Sequence, residues 1–164
     1  MRTFDFQVHS RYSYDSLSKL RHIKKKALNE GIEGIAITDH ETIKGGLKSQ
    51  QYSDDNFLFI VGQEVKTNLG DVIGLMIHDN INAFDFFEVI EEIKAQNGIA
   101  YLPHPSRKMR LSYENIKKNI DLVEAVNGRS SKNENLFSTK LALDLKLPYV
   151  SGSDAHTIRE IGNR

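Results

Sequence analysis

No cysteine occurs in this chain of 164 residues. That excludes a disulfide scaffold, a thiolate zinc site and a cysteine nucleophile. Any metal must therefore be held by nitrogen and oxygen. An excess of charge of one sign is also missing: Lys plus Arg and Asp plus Glu are 22 each. The balance gives no electrostatic case for a bulk nucleic-acid or membrane binder, and it leaves open a local basic patch. No apolar stretch approaches the roughly 20 residues that span a bilayer, and the N-terminus enters strand-like sequence without a signal-peptide pattern. A cytoplasmic globular domain is expected. Proline is scarce at three, and two of the three flank one histidine, His104.

What the chain does contain is a set of short apolar runs rich in β-branched and aromatic residues, which read as buried strands. Seven are expected, at about 3–8, 34–38, 57–64, 71–78, 98–103, 121–126 and 148–152. Apolar residues at helical spacing fall between several of them: Leu17, Leu20, Ile23, Ala27 and Leu28; Phe86, Phe87, Ile90 and Ile93; Leu136, Phe137, Leu141 and Leu145. The segment Thr67-Asn68-Leu69-Gly70-Asp71 reads as a hairpin turn. The pattern predicts one domain over 1–164, a mostly parallel α/β sheet with one antiparallel excursion.

Metal-type side chains sit just past the apolar runs. They are Gln7 and His9, Asp39 and His40, Glu64, His104, and Asp154 with His156. If the strands are parallel and close into a barrel, their C-terminal ends share one face, where such barrels assemble their sites. Imidazoles and carboxylates distant in sequence would meet there as the ligand set of a hydrolytic metal site. Period-2 alternation puts Gln7 and His9 on one side of the first strand. Glu64 ends a strand in an apolar context, where a carboxylate is costly unless paired or bound to a cation. The two prolines predict a stiff, extended backbone at His104, and small residues around Asp154 permit close backbone approach.

Each position has a plainer reading. His9 alone reads first as a structural histidine, and Gln7 is a weak ligand through its amide oxygen. Asp15 or Ser16 sits where a helix N-cap is wanted. Asp39 reads as a buried cap, with Gly45-Gly46 in the loop beyond His40. Arg107 and Arg110 read as solvated loop residues or as guanidinium forks for phosphate. His22 and His78 carry no functional expectation.

Together the ordered motifs resemble the PHP superfamily, named for its polymerase and histidinol phosphatase members. Phe4-Asp5-Phe6-Gln7-Val8-His9-Ser10 resembles the first motif, Thr38-Asp39-His40 the second, Glu64 the third, His104-Pro105 the fourth, and Gly152-Ser153-Asp154-Ala155-His156 the last. The resemblance implies a distorted seven-stranded (β/α) barrel. It also implies two or three divalent metals, commonly zinc, manganese, magnesium or iron, and phosphoester hydrolysis. By position it implies Gln7, His9, Glu64 and Asp154 around one metal and Asp15, His40 and His156 around a second. Glu64, His104 and a residue near Asn127 would surround a third. Gln7 and Asn127 stand where the family carries histidine, so two metals are the safer expectation. The chain is short for the family, which raises the expectation of a missing C-terminal element.

The function that follows is a metal-dependent phosphatase or phosphodiesterase acting on a small phosphomonoester or a nucleotide phosphoester. Metal-activated hydroxide would attack phosphorus, with Arg107 and Arg129 on the phosphate oxygens and His40 or His156 as proton donor. The competing expectation is a PHP-like structural or regulatory metal-binding module that has lost catalysis, favoured by Gln7. A metal-dependent amidohydrolase ranks third, because no lysine sits at a strand end in a suitable motif.

Overall fold

The computed structural model describes residues 2–107 and 109–163. Seven strands form, in the order β1 (Phe4–Val8), β2 (Gly34–Ile37), β3 (Leu58–Thr67), β4 (Gly70–Leu75), β5 (Ile99–Leu102), β6 (Leu122–Asn127) and β7 (Tyr149–Gly152). Each pairs with its neighbour in sequence. All pairings are parallel except the two that β4 makes, so β4 alone runs against the other six. The edges nearly close: His9 N donates to Ala155 O at 2.9 Å and Asp154 N donates to Gln7 O at 2.9 Å. A nearly closed seven-stranded α/β barrel results, with the ends of six strands on one rim.

Two bulges tune that rim. Asp5 pairs with Ile35 and Val8 with Ile37, so Phe6 and Gln7 together oppose Ala36. The extra residue lets Phe6 join the interior cluster of Ala36, Ile73, Leu75 and Tyr101 while Gln7 still reaches the mouth. A similar shift between Glu124 and Val126 lets Glu124 and Asn127 face one another across 2.9 Å.

Helices cover the outside: α1 (Leu20–Asn29), α2 (Lys44–Ser49), α3 (Phe86–Ala95), α4 (Tyr113–Asn119) and α5 (Lys132–Leu145). Ile23 and Ala27 of α1 pack on Ile35, Ile37, Phe57 and Phe59, while α3 and α5 cover the other side. Asp85 caps α3 by accepting from Phe87 N and Glu88 N, and Ser131 with Glu134 forms a capping box on α5.

Three sequence expectations change. Helix α1 starts at Leu20 with Lys19 at its N-cap, and Leu17 is 92% exposed. Neither Asp15 nor Ser16 caps it: Asp15 accepts from Ser13 Oγ, and Ser16 Oγ donates to the carbonyls of His9 and His156. On α5 the buried stripe is Ser138, Leu141, Ala142 and Leu145, leaving Leu136 and Phe137 exposed. Gly45 and Gly46 lie in α2 rather than in a loop. A Cβ on Gly45 would stand 1.8 Å from Asp39 Oδ2 and 2.5 Å from Ser10 Oγ. Asp39 is fully buried and holds Ser10 through its N and Oγ at 2.6 and 2.7 Å, so it has nowhere to move. Gly45→Ala is therefore expected to destabilise the protein by about 3 kcal/mol through overpacking and loss of charged hydrogen bonds. Urea denaturation reads this directly, and a loss below about 0.5 kcal/mol, the range of a neutral surface change, would show that α2 can shift.

Candidate metal centre

The rim gathers the expected residues. His9 is fully buried, with Nε2 at 3.3 Å from Glu64 Oε2 and 3.4 Å from Asp154 Oδ1. Its ring packs against those of both His40 and His156, at centroid distances of 4.6 and 4.1 Å. Asp15 Oδ2 lies 3.3 Å from His40 Nε2 and 3.0 Å from His156 Nε2. Glu64 is the hub: its oxygens meet His104 Nε2 at 3.1 Å, Gln7 Nε2 at 3.1 Å and His40 Nδ1 at 3.7 Å.

Among the described residues, donor atoms within 4.8 Å of one another form two groups, His9 with Asp15, His40 and His156, and Glu64 with Asp71 and His104. His9 thus joins the Asp15 group while bridging toward Glu64 and Asp154. Asp71 was absent from the sequence expectation because Gly70-Asp71 read as turn. Since β4 runs backwards, its first residues reach the rim that the other strands reach with their last. The expected antiparallel excursion carried the signal: a reversed strand puts its first residues, Asp71 among them, at the rim.

Arg107 is part of the same assembly. Its guanidinium donates to Asp154 Oδ2 at 3.0 Å and to Asn127 Oδ1 at 2.9 Å. Arg129 lies further out, with its guanidinium 2.8 Å from His156 Nδ1. Arg110 stands apart, beside the β3–β4 turn, where its N donates to Leu69 O. Together His40, Glu64, Asp71, His104, Arg107 and Arg129 line most of a cleft of about 220 Å³ that also touches Asp154 and His156. No lysine lines it. Asn127 bridges the floor, donating to Gln7 Oε1, Glu124 Oε2 and Asp154 Oδ2. Gln7 is therefore a connector between Glu64 and Asn127.

Backbone strain marks two of these positions. His104 has φ 30° and Asp154 φ 54°, left-handed values that residues other than glycine seldom adopt. His104 is thus not extended as the flanking prolines predicted; Pro105 excludes the right-handed region, and Glu124 Oε2 accepts the His104 N–H at 2.7 Å. Glu124, a carboxylate within the apolar run Leu122-Val123-Glu124-Ala125-Val126, is a second site residue that sequence reading missed. Gly152 allows the close fit, since a Cβ there would lie 2.4 Å from Glu124 Oε1.

The electrostatics follow from burial set against opposite charge. Burial disfavours the His9 cation, but Asp154 and Glu64 reverse this and raise its pKa to about 10. Burial likewise opposes charge on Glu64, yet His104 and His9 hold it well below the ordinary carboxylate value. His104 is raised by Glu64 against the pull of burial. Burial alone dominates Glu124 and lifts it to about 7. Both ring nitrogens of His9 are buried without a hydrogen-bond partner. Nε2 faces Glu64 and Asp154 at 3.3 and 3.4 Å without forming an aligned hydrogen bond, and Nδ1 has none; a buried imidazole so poorly met is costly, and a divalent cation would satisfy it. The nitrogen-and-oxygen donor set fits such a cation.

Comparison with known proteins places this geometry. The family model described as PHP domain matches residues 5–117, and one described as PHP-associated matches 132–164. Two uncharacterized proteins of Methanocaldococcus jannaschii are similar: MJ1587, 36% identical over 62% of this chain and 66% of its own length, and MJ0417, 32% identical over 97% and 67%. A solved two-domain protein of Bacteroides vulgatus, containing a predicted PHP-like metal-dependent phosphoesterase, superposes with TM-score 0.82 at 19% identity, over 97% of this chain and 53% of that one. The chain thus spans about two thirds of these curated relatives and about half of that structure.

Proposed function

The chain belongs to the PHP domain family, and on that premise we propose that it is a metal-dependent phosphoesterase cleaving a small phosphomonoester or a nucleotide phosphoester. The observation that carries the reading is His9, a buried imidazole with no hydrogen-bond partner, enclosed by Glu64, Asp154 and two further histidines.

His9, Asp15, His40 and His156 would hold one divalent ion, and Glu64, Asp71 and His104 a second, with Asp154 facing both His9 and Arg107. Zinc, manganese, magnesium and iron all accept such donors. Bound there, the ions supply Lewis acidity toward water and toward the phosphate oxygens. In the hydrolysis, water oxygen bonds to phosphorus, the bond from phosphorus to the leaving oxygen breaks, and a proton passes to that oxygen. The chain contributes the rest. Arg107, steadied by Asp154 and Asn127, presents a planar fork to nonbridging oxygens, and Arg129 adds charge at the outer edge. His40 and His156 line the cleft and supply the proton when not committed to a cation. No protein nucleophile is required. Gln7 favours a second reading, a catalytically impaired metal-binding module, because its amide is already engaged by Glu64 and Asn127.

The test is elemental analysis of the purified protein together with turnover of an aryl phosphate across several divalent metals. Bound metal that falls in both His40→Ala and Asp154→Ala, with turnover in the parent, supports the phosphoesterase. Bound metal without turnover on any phosphoester would support the impaired module, and unchanged metal in both variants would remove the metal reading. Arg107→Lys keeps the charge and loses the bond to Asn127 and the bidentate fork. Turnover is expected to fall by about 10- to 100-fold, with metal content retained. Unaltered turnover would make Arg107 a structural partner of Asp154 only.

A further inference from the structure

Charge is not spread evenly over this neutral chain. Arg11, Lys19, Arg21 and Lys48 line a cavity of about 350 Å³ beside α1 and α2, and its lining contains no carboxylate. A second cavity adjoins the metal centre itself. It holds about 480 Å³, and Lys66, Asn68, Asp71, Phe84, Met109 and Arg110 form most of its lining. Asp71 also lines the metal cleft, where its carboxylate belongs with Glu64 and His104 to a group of donors within 4.8 Å of one another. One side chain is therefore common to both spaces.

The two spaces differ in chemistry. The metal cleft holds about 220 Å³ and is lined by histidine, arginine and carboxylates, with no apolar side chain. It suits cations and a phosphoryl group and offers nothing to an apolar leaving group. The cavity beyond Asp71 offers what the cleft lacks. Phe84 is 63% exposed there, and Met109 is half-buried against the core under α3. A ring laid on these two side chains would remove apolar surface from water.

The walls are tied together. Asn68 N donates to Phe84 O at 3.2 Å, Asn68 Nδ2 donates to Asp85 Oδ2 at 2.8 Å, and Phe86 N donates to Asn68 Oδ1 at 2.9 Å. Arg110 N donates to Leu69 O at 2.9 Å. The β3–β4 turn, the start of α3 and the loop after His104 thus hold one another, as a preformed pocket requires. Two cations face it. Among the described residues neither Lys66 nor Arg110 forms an ion pair with a carboxylate. Asp71 is the one carboxylate in the lining, so two cations less one anion leave a single positive charge in excess. That excess matches a monoanion.

We propose that this cavity receives the leaving group, and that the substrate is a phosphomonoester of a ring-sized apolar alcohol or phenol bearing a carboxylate. Phe84 and Met109 take the ring. Arg110, as a planar fork, and Lys66 take the carboxylate. The assignment rests on the phosphoesterase reading and leaves its bond changes as they stand. These four side chains touch the part of the substrate that does not react, so they set which ester is chosen.

The experiment uses the manganese-loaded protein and compares 3- and 4-carboxyphenyl phosphate with their uncharged carboxamide counterparts. In the parent, kcat/KM for the better carboxylate should exceed that of its carboxamide by about tenfold or more, the size of a charged hydrogen bond. The exposed double variant Lys66→Gln, Arg110→Gln should lose that preference, with phenyl phosphate turnover and melting temperature unchanged. Comparing variant with parent cancels the intrinsic reactivity of each ester. Phe84→Ala should lower kcat/KM for phenyl phosphate about tenfold relative to methyl phosphate. In parallel, calorimetry follows binding of 3- and 4-(phosphonomethyl)benzoate, which cannot be hydrolysed. Phosphonate binding that weakens about tenfold in the double variant, without turnover of any ester, would remove the phosphoesterase reading and leave the cavity standing. An unchanged carboxylate preference and phosphonate affinity in the double variant would overturn the cavity. So would a parent that binds neither phosphonate.

Discussion

Replacing Glu64 with alanine is expected to strip the bound metal and lower phosphoester turnover by a factor on the order of 100 or more. The size of the effect comes from the number of groups that depend on one carboxylate. Glu64 meets His104 with one oxygen, and Gln7, His9 and His40 with the other. The two buried carboxylates beside it are already engaged: Asp154 is held by Arg107 and Asn127, and Glu124 is bound to the His104 backbone. Removing the charge also leaves the buried His104 without its counter-ion and His9 with Asp154 alone, and breaking such a buried pair costs roughly 3–5 kcal/mol. Glu64→Gln separates the two consequences. It keeps the shape and a hydrogen-bonding oxygen, so the fold should survive while metal and turnover are lost. Metal analysis, urea denaturation and turnover of both variants decide the matter, and retention of metal and rate in Glu64→Ala would refute the role.

The second large effect is on stability after metal removal. In the chelated protein His9 titrates near 10 rather than 6.5, because Asp154 and Glu64 outweigh burial. His104 is raised by Glu64 as well. Between those values the folded chain binds more protons than the unfolded chain, so stability declines as pH rises from about 6.5 toward 10. Glu124, raised by burial to about 7, acts in the same direction between 4.5 and 7. Glu64 and Asp154 are lowered by His9 and His104 against burial, and their contribution is lost only as pH falls below the ordinary carboxylate range. The metal-loaded protein behaves oppositely, since ligands must shed protons to bind a cation and binding only the folded state adds stability. The gap in melting temperature between loaded and chelated protein should therefore widen by about 5 °C or more between pH 6 and pH 9. Scanning calorimetry with and without a chelator measures it. A gap that narrows over that range would show that the buried histidines are not where the cation binds.

Much of this site was legible because strands announce their ends. An apolar run followed at once by a ligand-type residue places Gln7 and His9, His40, Glu64, His104, Asp154 and His156 at one rim once parallel pairing is assumed, and the structure brings all of them together. That inference fails where its premise fails. Strand β4 runs the other way, so its first residues reach the rim, and Asp71 was hidden in what read as a turn. Asp15 offered two local readings of equal weight, and only the contacts with His40 and His156 separated them. Gly45 and Gly46 looked like loop residues because glycine disfavours helix in isolation; packing against Asp39 and Val61 made glycine the residue that fits.

What the sequence by itself determined is therefore local and periodic: seven strands with one antiparallel excursion, the buried Leu20, Ile23 and Ala27 of α1 and Phe86, Ile90 and Ile93 of α3, the donor chemistry without thiolate, and the family to which the motifs belong. Each depends on side-chain identity and on spacings of two or 3.6 residues, which a linear string contains. Tertiary structure alone decided that β4 begins at Gly70 and so brings Asp71 to the rim, the left-handed backbone at His104, the burial that sets His9 and Glu124 far from their ordinary pKa values, and the segregation of charge. A count of 22 against 22 says only that the total is zero. Whether four cations stand around one cavity with no carboxylate is a matter of position in space, because electrostatic energy depends on the distances between charges and not on their sum.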